Sequence, residues 1–506
     1  MIPANLPGLL YTAEQVRQLD RIAIDSRGVP GLTLMRRAAT ACVETLLQKW
    51  PHTQSVSVFC GSGNNAGDGY IIAGMLAEQN IQVMVLVVGM AGKLSADAKA
   101  GYEYCQSTSA RMLDFTATGA LETQVEELLK TDVVVDALLG IGAQGEVRSY
   151  YRQIIEAINT GPADVLAVDI PSGLDADTGA VLGIAVTAAV TVTFIGLKRG
   201  LLTFQGPDHT GELVFADLAV PRDIYAEVDS SCVRLDYAEL IKFLLPRQRN
   251  AHKNHFGHLL VVGGDQGMGG AVAMAAVAAM RSGAGLVTVA THPSHAGFIM
   301  AQQPELMVRG IADSAALDTL LSKASVVVLG PGLGQSDWSN MISKNVQSSC
   351  DEADRPMVVD ADGLNLLAKS PRKNPHWILT PHPGEAANLL KTQVPSIQKD
   401  RFAAALAVQE RYGGNVVLKG CGSIVQSTGT SLSAYGNPGM SSAGMGDVLS
   451  GVIGALLAQG CSQEIAAQLG VVVHSFAADQ CTAIEGERGL LATDLIAGIR
   501  RLLNDI

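Results

Sequence analysis

A chain of 506 residues exceeds what one core holds, because single cores stop growing at roughly 250–300 residues; two or three domains are expected. With 48% hydrophobic and 17% charged residues it is globular and not disordered, and its net charge of −12 excludes a broad basic face for nucleic acid. The eight cysteines form no C-x-x-C pair and read as reduced thiols, which points to the cytoplasm. The first residues carry no basic run followed by a long apolar stretch, so no signal peptide is expected. The most apolar helical stretch, 271–280, is about half a bilayer span, so no membrane is expected either.

In chain order, Thr12 and Gln15 form a capping box that opens a helical stretch over 12–50. A strand at 55–60, a Gly-rich loop, a helix near 70–79 and a strand at 82–88 make one βαβ unit. Strand-then-loop units follow at 132–142 and 165–173, with closing strands at 189–195 and 212–216. The stretch 221–249 is charged, lacks glycine and ends in LLPRQRN, which places a boundary there and gives domains 1–225 and 226–506. The pattern then restarts, with a strand at 258–264, an Ala-rich helix at 270–282 and a strand at 285–290. Further strands are expected at 325–329, 356–360, 377–380 and 415–419, and a helix opening at Asp447. Both halves are therefore α/β, with parallel sheets between layers of helices.

In the first half, FCGSGNNAGDGY at 59–70 joins a strand to a helix. Its two asparagines and its aspartate add hard oxygen donors, which suit a cation and a polar ligand better than a bare pyrophosphate. Asp136 in VVVDALLGIG and Asp169 in AVDIPSGLDADTG end two further strands. Three such loops on one edge of a parallel sheet describe a site at a topological switch point. The alternative is three ordinary turns in which Asn and Asp bond their own backbones.

In the second half the sharpest motif is NPGMSSAGMGDVLSG at 437–451. A helix start presents free N–H groups and a positive dipole end to phosphate, and glycines let the ligand approach. A carboxylate there repels phosphate unless it takes the proton of an attacking hydroxyl, so Asp447 reads as a base, with a helix cap as the alternative. NVVLKGCGS at 415–423 places Lys419 and a Gly-rich turn beside phosphates, or else forms an ordinary hairpin with a surface lysine. TPHPGE at 380–385 sets His382 and Glu385 at the sheet's carboxyl edge. Glu385 can hold Mg²⁺, whereas His382 is equally a structural histidine. DADGLN at 360–365 reads better as a turn with an Asx cap than as a metal or water site. GPGLG at 330–334 is a bare backbone loop against which a ligand can lie.

AGMGD opening a helix resembles the anion hole and base of the ribokinase superfamily. Together with HLLVVGG, GPGLG, VVDADGLNLL, LTPHPGE and LKGCGS it resembles the ADP/ATP-dependent NAD(P)H-hydrate dehydratases over about 236–506, the departure being Asn254 in KNHFGH. GSGNNAGDG, VVVDALLGIG and VDIPSGLDADTG resemble the NAD(P)H-hydrate epimerases over about 10–220, with Ala66 where that family usually has Gly. The order of the halves is that of the bifunctional repair enzymes.

The resemblance implies a Rossmann-like three-layer αβα domain followed by a ribokinase-like αβα domain. It implies epimerisation of hydrated NADH and NADPH in the first half, and dehydration of the S form at the expense of ADP or ATP in the second. Implied substrate contacts in the first half are Asn64, Asn65, Ala66, Gly67 and Asp68, then Gly140, Ile141, Gly142, Ala143, Gln144, Gly145 and Glu146, and Asp169, which is also the candidate acid/base. Asn65, Asp136 and Ser172 resemble K⁺ ligands. In the second half Ala271, Gly332, His382 and Asp447 correspond to substrate contacts, and Lys419, Gly420, Cys421, Gly422, Ser423, Gly444, Met445 and Gly446 to nucleotide contacts, with Mg²⁺ at Glu385. The expected partners are NADHX or NADPHX, ADP or ATP, and further copies of the chain in a homo-oligomer. Two other readings stay open: a kinase of a small alcohol that stops at a phosphate ester, and a first half that binds nucleotide without catalysis.

Overall fold

The computed structural model describes residues 6–88, 94–115 and 121–505. The chain divides into two units, Ile2–Val233 and Arg234–Ile506. The division falls later than the composition break at 225 because Leu9 and Leu10 pair antiparallel with Val233 and Cys232, which ties that segment to the first unit.

The first unit is built on a seven-stranded sheet in the order Arg111–Asp114, Gln82–Val87, Ser55–Cys60, Val133–Ala137, Asp164–Val168, Val190–Phe194 and Glu212–Ala216. Every neighbouring pair is parallel. Val133–Ala137 and Val190–Phe194 are buried throughout, as continuous apolar runs covered on both faces should be. Chain order reverses at Ser55–Cys60, which lies between Gln82–Val87 and Val133–Ala137, so the loops after Cys60 and Ala137 flank the switch point.

Two expectations need correction here. The helical stretch 12–50 is broken: Ala13–Arg21 passes into a π-turn at Ile22–Ser26, and Gly31–Lys49 starts afresh after Gly28 at φ +67° and Pro30. The helix expected near 70 begins at Asn64, so Asn64–Asp68 form its first turns and not a loop. Its glycines serve close packing: a Cβ on Gly69 would meet that of Ala137 at 2.6 Å. The edge strand Arg111–Asp114 and the short strands Leu9–Tyr11 and Leu197–Lys198 were not expected.

The second unit carries strands in the order Met307–Gly310, Leu286–Thr291, His258–Val262, Val326–Leu329, Met357–Val359, Trp377–Leu379 and Asn415–Leu418, all parallel. Ser423–Gln426 and Thr430–Ser433 then continue the sheet antiparallel. Met307–Gly310 and these last two strands go beyond the expected set. Helix Met445–Ala458 is apolar nearly all round and buried accordingly. It packs against Gly269–Arg281 so closely that a Cβ on Gly451 would lie 2.0 Å from the Ala275 carbonyl oxygen. Among the described residues no helix is long and apolar enough to cross a membrane.

Candidate functional sites at two sheet edges

In the first unit Asp136 ends its strand fully buried. Its Oδ1 accepts from Ser172 Oγ at 2.6 Å and from Leu138 N at 3.2 Å, and its Oδ2 from Ser172 N at 2.8 Å. Ser172 Oγ also meets Leu139 N at 2.8 Å, and Asn65 Nδ2 donates to the Leu139 carbonyl at 3.2 Å. Asn65 and Ser172, distant in sequence, thus both bond Leu139, and Ser172 links that residue to Asp136. Asn65 Oδ1 is buried without a hydrogen-bond partner. Burial raises the Asp136 carboxyl to about 6 despite its hydrogen bonds from Ser172 and Leu138. An orphaned carbonyl oxygen beside a buried carboxyl with no basic partner among the described residues suits a hard monovalent cation.

Asp169 lies one strand along, in the left-handed region at φ +67°, where a non-glycine residue is strained. Its Oδ1 accepts from Phe194 N at 3.1 Å and Thr193 Oγ1 at 3.3 Å and pairs with Lys198. Lys198 is fully buried, and its Nζ also bonds Thr193 Oγ1 at 3.1 Å and the Phe194 carbonyl at 3.0 Å. Asp68 is half-buried and held well above the carboxylate range, first by burial and then by Asp169 and Asp20, against the pull of Lys198. Asp20 is itself pushed up to about 6 by burial. Three carboxylates therefore share one lysine. Lys198 and Asp20 were not singled out from the sequence; a lysine closing the apolar run VTVTFIGLK was the available signal. Ala66 and Gly67 are buried in the helix, and Asn64 is exposed at its start. Gly140 rests on Asn65, Arg17 donates to the Ile141 carbonyl at 3.0 Å, Ala143 is half-buried, and Gly142, Gln144, Gly145 and Glu146 are exposed beyond them.

In the second unit Asp447 is the third residue of helix Met445–Ala458, after Gly444 at φ +93°. Its half-buried carboxylate hydrogen-bonds to none of the described residues, so it does not cap the helix. Burial, then Asp360 and Asp362, push it up to about 7 against the pull of Lys419. Lys419 is not the surface lysine of an ordinary hairpin. The hairpin exists, but Lys419 Nζ turns inward to Asp360 Oδ1 at 2.7 Å, with Glu385 3.8 Å away. A Cβ on Gly446 would lie 3.1 Å from that Nζ, so the lysine stands at the head of the Asp447 helix.

The Asx-cap reading of Asp360 is corrected. It occupies the N-cap position of Ala361–Lys369 but makes no cap bond; its carboxylate is taken by Lys419 and by Ser450 Oγ at 2.5 Å. Burial would raise this carboxyl, yet the Lys419 charge outweighs it and holds the group low. His382 caps Pro383–Leu390, its Nδ1 accepting from Gly384 N at 2.9 Å, while Glu385 Oε2 accepts from His382 N at 2.7 Å. Burial and then Lys419 keep His382 neutral, and burial raises Glu385. A cavity of about 420 Å³ opens beside them, lined also by Asn365, Asn388, Thr392 and Gln393. Gly332 approaches Ala271, a Cβ there falling 3.1 Å from that of Ala271, and Asp362 accepts from Gly334 N at 2.9 Å. Gly420 and Gly422 turn the hairpin, Ser423 Oγ meets the Gly420 carbonyl at 3.1 Å, and Cys421 is exposed. Met445 is buried. Among the described residues no three His, Cys, Asp or Glu side chains form a ready metal cage.

A glycine-led helix start with an unbonded carboxylate, a half-buried lysine behind it and an open parallel-sheet edge define a ribokinase-like class of protein. The solved ribokinase-like superfamily protein of Enterococcus faecalis is similar over 54% of this chain and 95% of its own, at 27% identity and a TM-score of 0.50. A Streptococcus mutans protein of solved structure is similar over 54% and 99%, at 30% identity and a TM-score of 0.51. Residues 259–501 match the NAD(P)H-hydrate dehydratase family, and residues 31–200 the family of YjeF-related protein N-termini. The chain is 46% identical to the bifunctional NAD(P)H-hydrate repair enzyme of Coxiella burnetii over 98% of this chain and 99% of that one. It is 39% identical to that of Escherichia coli over 99% and 95%. It belongs to the family of bifunctional NAD(P)H-hydrate repair enzymes.

Proposed function

We propose that the chain repairs hydrated NADH and NADPH, the first unit interconverting the R and S forms and the second dehydrating the S form with ADP or ATP. The observation that carries this is the Asp447 carboxylate, unbonded at a helix start and raised to about 7, where it can accept a proton near neutrality. Asp447 removes the proton of the ring hydroxyl as that oxygen attacks the terminal phosphorus, releasing AMP or ADP. The phosphate then leaves with the bonding pair and the adjacent carbon gives its proton to water, restoring the double bond. This explains a kinase-type site in a dehydratase, because hydroxide is a poor leaving group and phosphate a good one. Gly444, Met445 and Gly446 offer amides to the phosphate, and Lys419 with Gly420–Ser423 holds the rest of the nucleotide. Asp360, Glu385 and Asp447 outnumber Lys419, so the hard oxygens of Glu385 suit Mg²⁺, which would neutralise phosphate charge when bound.

In the first unit Asp169 is the acid/base, oriented by Lys198, with Asn64–Asp68 and 140–146 around the substrate. Asn65, Asp136 and Ser172 are the ligands of a K⁺ ion, which offsets the charge of an anionic dinucleotide among aspartates. The test is to incubate the protein with a mixture of hydrated NADH epimers and either nucleotide, following the absorbance of the restored dihydronicotinamide. Full consumption of both epimers is expected. Accumulation of a stable phosphate ester without that absorbance would refute the reading in favour of an alcohol kinase.

A further inference from the structure

Arg401, the first residue of helix Arg401–Tyr412, is 1% exposed, and among the described residues no carboxylate pairs with it. Its Nη2 instead donates to three carbonyls of one hairpin turn: Leu418 at 3.3 Å, Lys419 at 3.4 Å and Gly422 at 3.2 Å. Nη1 reaches only Gln398 Oε1, at 3.5 Å, and Nε is buried without a partner. Burial lowers its pKa to about 10, which still leaves it charged at neutral pH. An unpaired buried charge is costly, so such a residue needs a reason in the site it supports.

The guanidinium fills the inside of the turn. A Cβ on Gly420 would lie 2.3 Å from Nη1, and Gly420 and Gly422 hold φ of +143° and +63° around it. A trans peptide points its N–H opposite to its C=O. With the Lys419 carbonyl drawn inward, the Gly420 N–H on the other side of that peptide donates to Ser423 Oγ at 3.4 Å. The turn thus shows its carbonyl oxygens to Arg401 and leaves Gly420 and Cys421 exposed on its other side, with the guanidinium charge directly behind them.

We propose that Arg401 is the positioning residue of the nucleotide loop, sorting its peptide groups and supplying a fixed positive charge behind a polyphosphate. The inference rests on the reading of Lys419–Ser423 as that loop. It answers a difficulty of the site, since Lys419 is already engaged by Asp360 and cannot by itself offset phosphates brought among Asp360, Glu385 and Asp447. Lysine cannot replace this arginine, because an ammonium on a flexible stem does not reach the carbonyls that one planar guanidinium orders.

The experiment compares Arg401→Met, Arg401→Lys and Gly420→Ala in the full chain by ADP titration calorimetry and steady-state dehydration, with denaturant unfolding of the full chain as the control for folding. Losing charge-assisted bonds of this kind predicts a KM and Kd for ADP raised on the order of tenfold or more in Arg401→Met. At saturating ADP the kcat stays within about threefold, since the group never touches the reacting atoms. If Arg401→Met does not fold, Arg401→Lys is judged by the same criteria. A folded Arg401 variant with wild-type ADP affinity while Gly420→Ala loses it overturns the role of Arg401 alone. Wild-type affinity in both overturns the loop assignment with it.

Discussion

Replacing Asp447 by Asn keeps the shape of the side chain and removes its basicity. Loss of a general base costs on the order of 10²–10⁴ in rate, or about 3–5 kcal/mol of barrier. The same change should also stabilise the protein. The folded carboxyl titrates at about 7 against an ordinary 3.8, so the fold favours the protonated form and ionising it costs stability. The penalty is absent below the ordinary value, grows as pH rises, and is complete above about 7. At about 1.36 kcal/mol per tenfold change in proton affinity the ceiling is about 4 kcal/mol, which screening of a half-buried group reduces to about 1–3 kcal/mol. The assays are single-turnover dehydration of the S form and denaturant unfolding at pH 5 and pH 8. Asp447→Asn should lose dehydration, retain ADP binding, and gain more stability at pH 8 than at pH 5. Near wild-type turnover, or an inactive variant with no pH-dependent gain, would refute the assignment of a buried, destabilised base.

Exchanging K⁺ for tetramethylammonium at constant ionic strength should suppress epimerisation in the wild type and change nothing further in Asp136→Asn; K⁺ activation should fade below about pH 6 as Asp136 protonates, and insensitivity of both proteins would remove the cation site. Lys198→Met leaves Asp169 without its ionic partner, so it should abolish epimerisation and cost about 3–5 kcal/mol in unfolding, towards the lower end because Asp169 keeps 15% exposure; an active, fully stable variant would count against this. A fragment ending at Val233 should fold and epimerise without nucleotide, whereas one ending at 225 loses the strand paired with Leu9 and Leu10 and should be less soluble; equal behaviour would show that this ladder contributes nothing.

The parts of this architecture that were legible are those whose signal is local. The apolar run at Ser55–Cys60 and the glycines before Asp447 announce a buried strand and a glycine-led helix start within a few residues. Arg111–Asp114 and Met307–Gly310 escaped because short, half-solvated edge strands carry little apolar pattern. Asp360 was misjudged because its partner Lys419 stands 59 residues away, and a lone Asp at a strand end looks like any cap. Lys198, Asp20 and Arg401 lie outside the glycine-rich signatures altogether. Only folding brings a lysine from a two-residue strand against Asp169, or an arginine from a helix start beneath a hairpin.

The contact between Gly451 and the Ala275 carbonyl has a consequence for how such a protein can diversify. The depth at which Asp447 sits is set where two backbones touch, one turn beyond the carboxylate, with no side chain between them to adjust. Any lineage that acquires even a methyl group at position 451 must lift the whole helix and carry the Asp447 carboxylate away from Lys419 and Asp360. Residues around the neighbouring cavity, such as Asn388 and Gln393, face no such constraint and can be exchanged one at a time. A saturation library should therefore return a closed position at 451 and open ones at the cavity mouth.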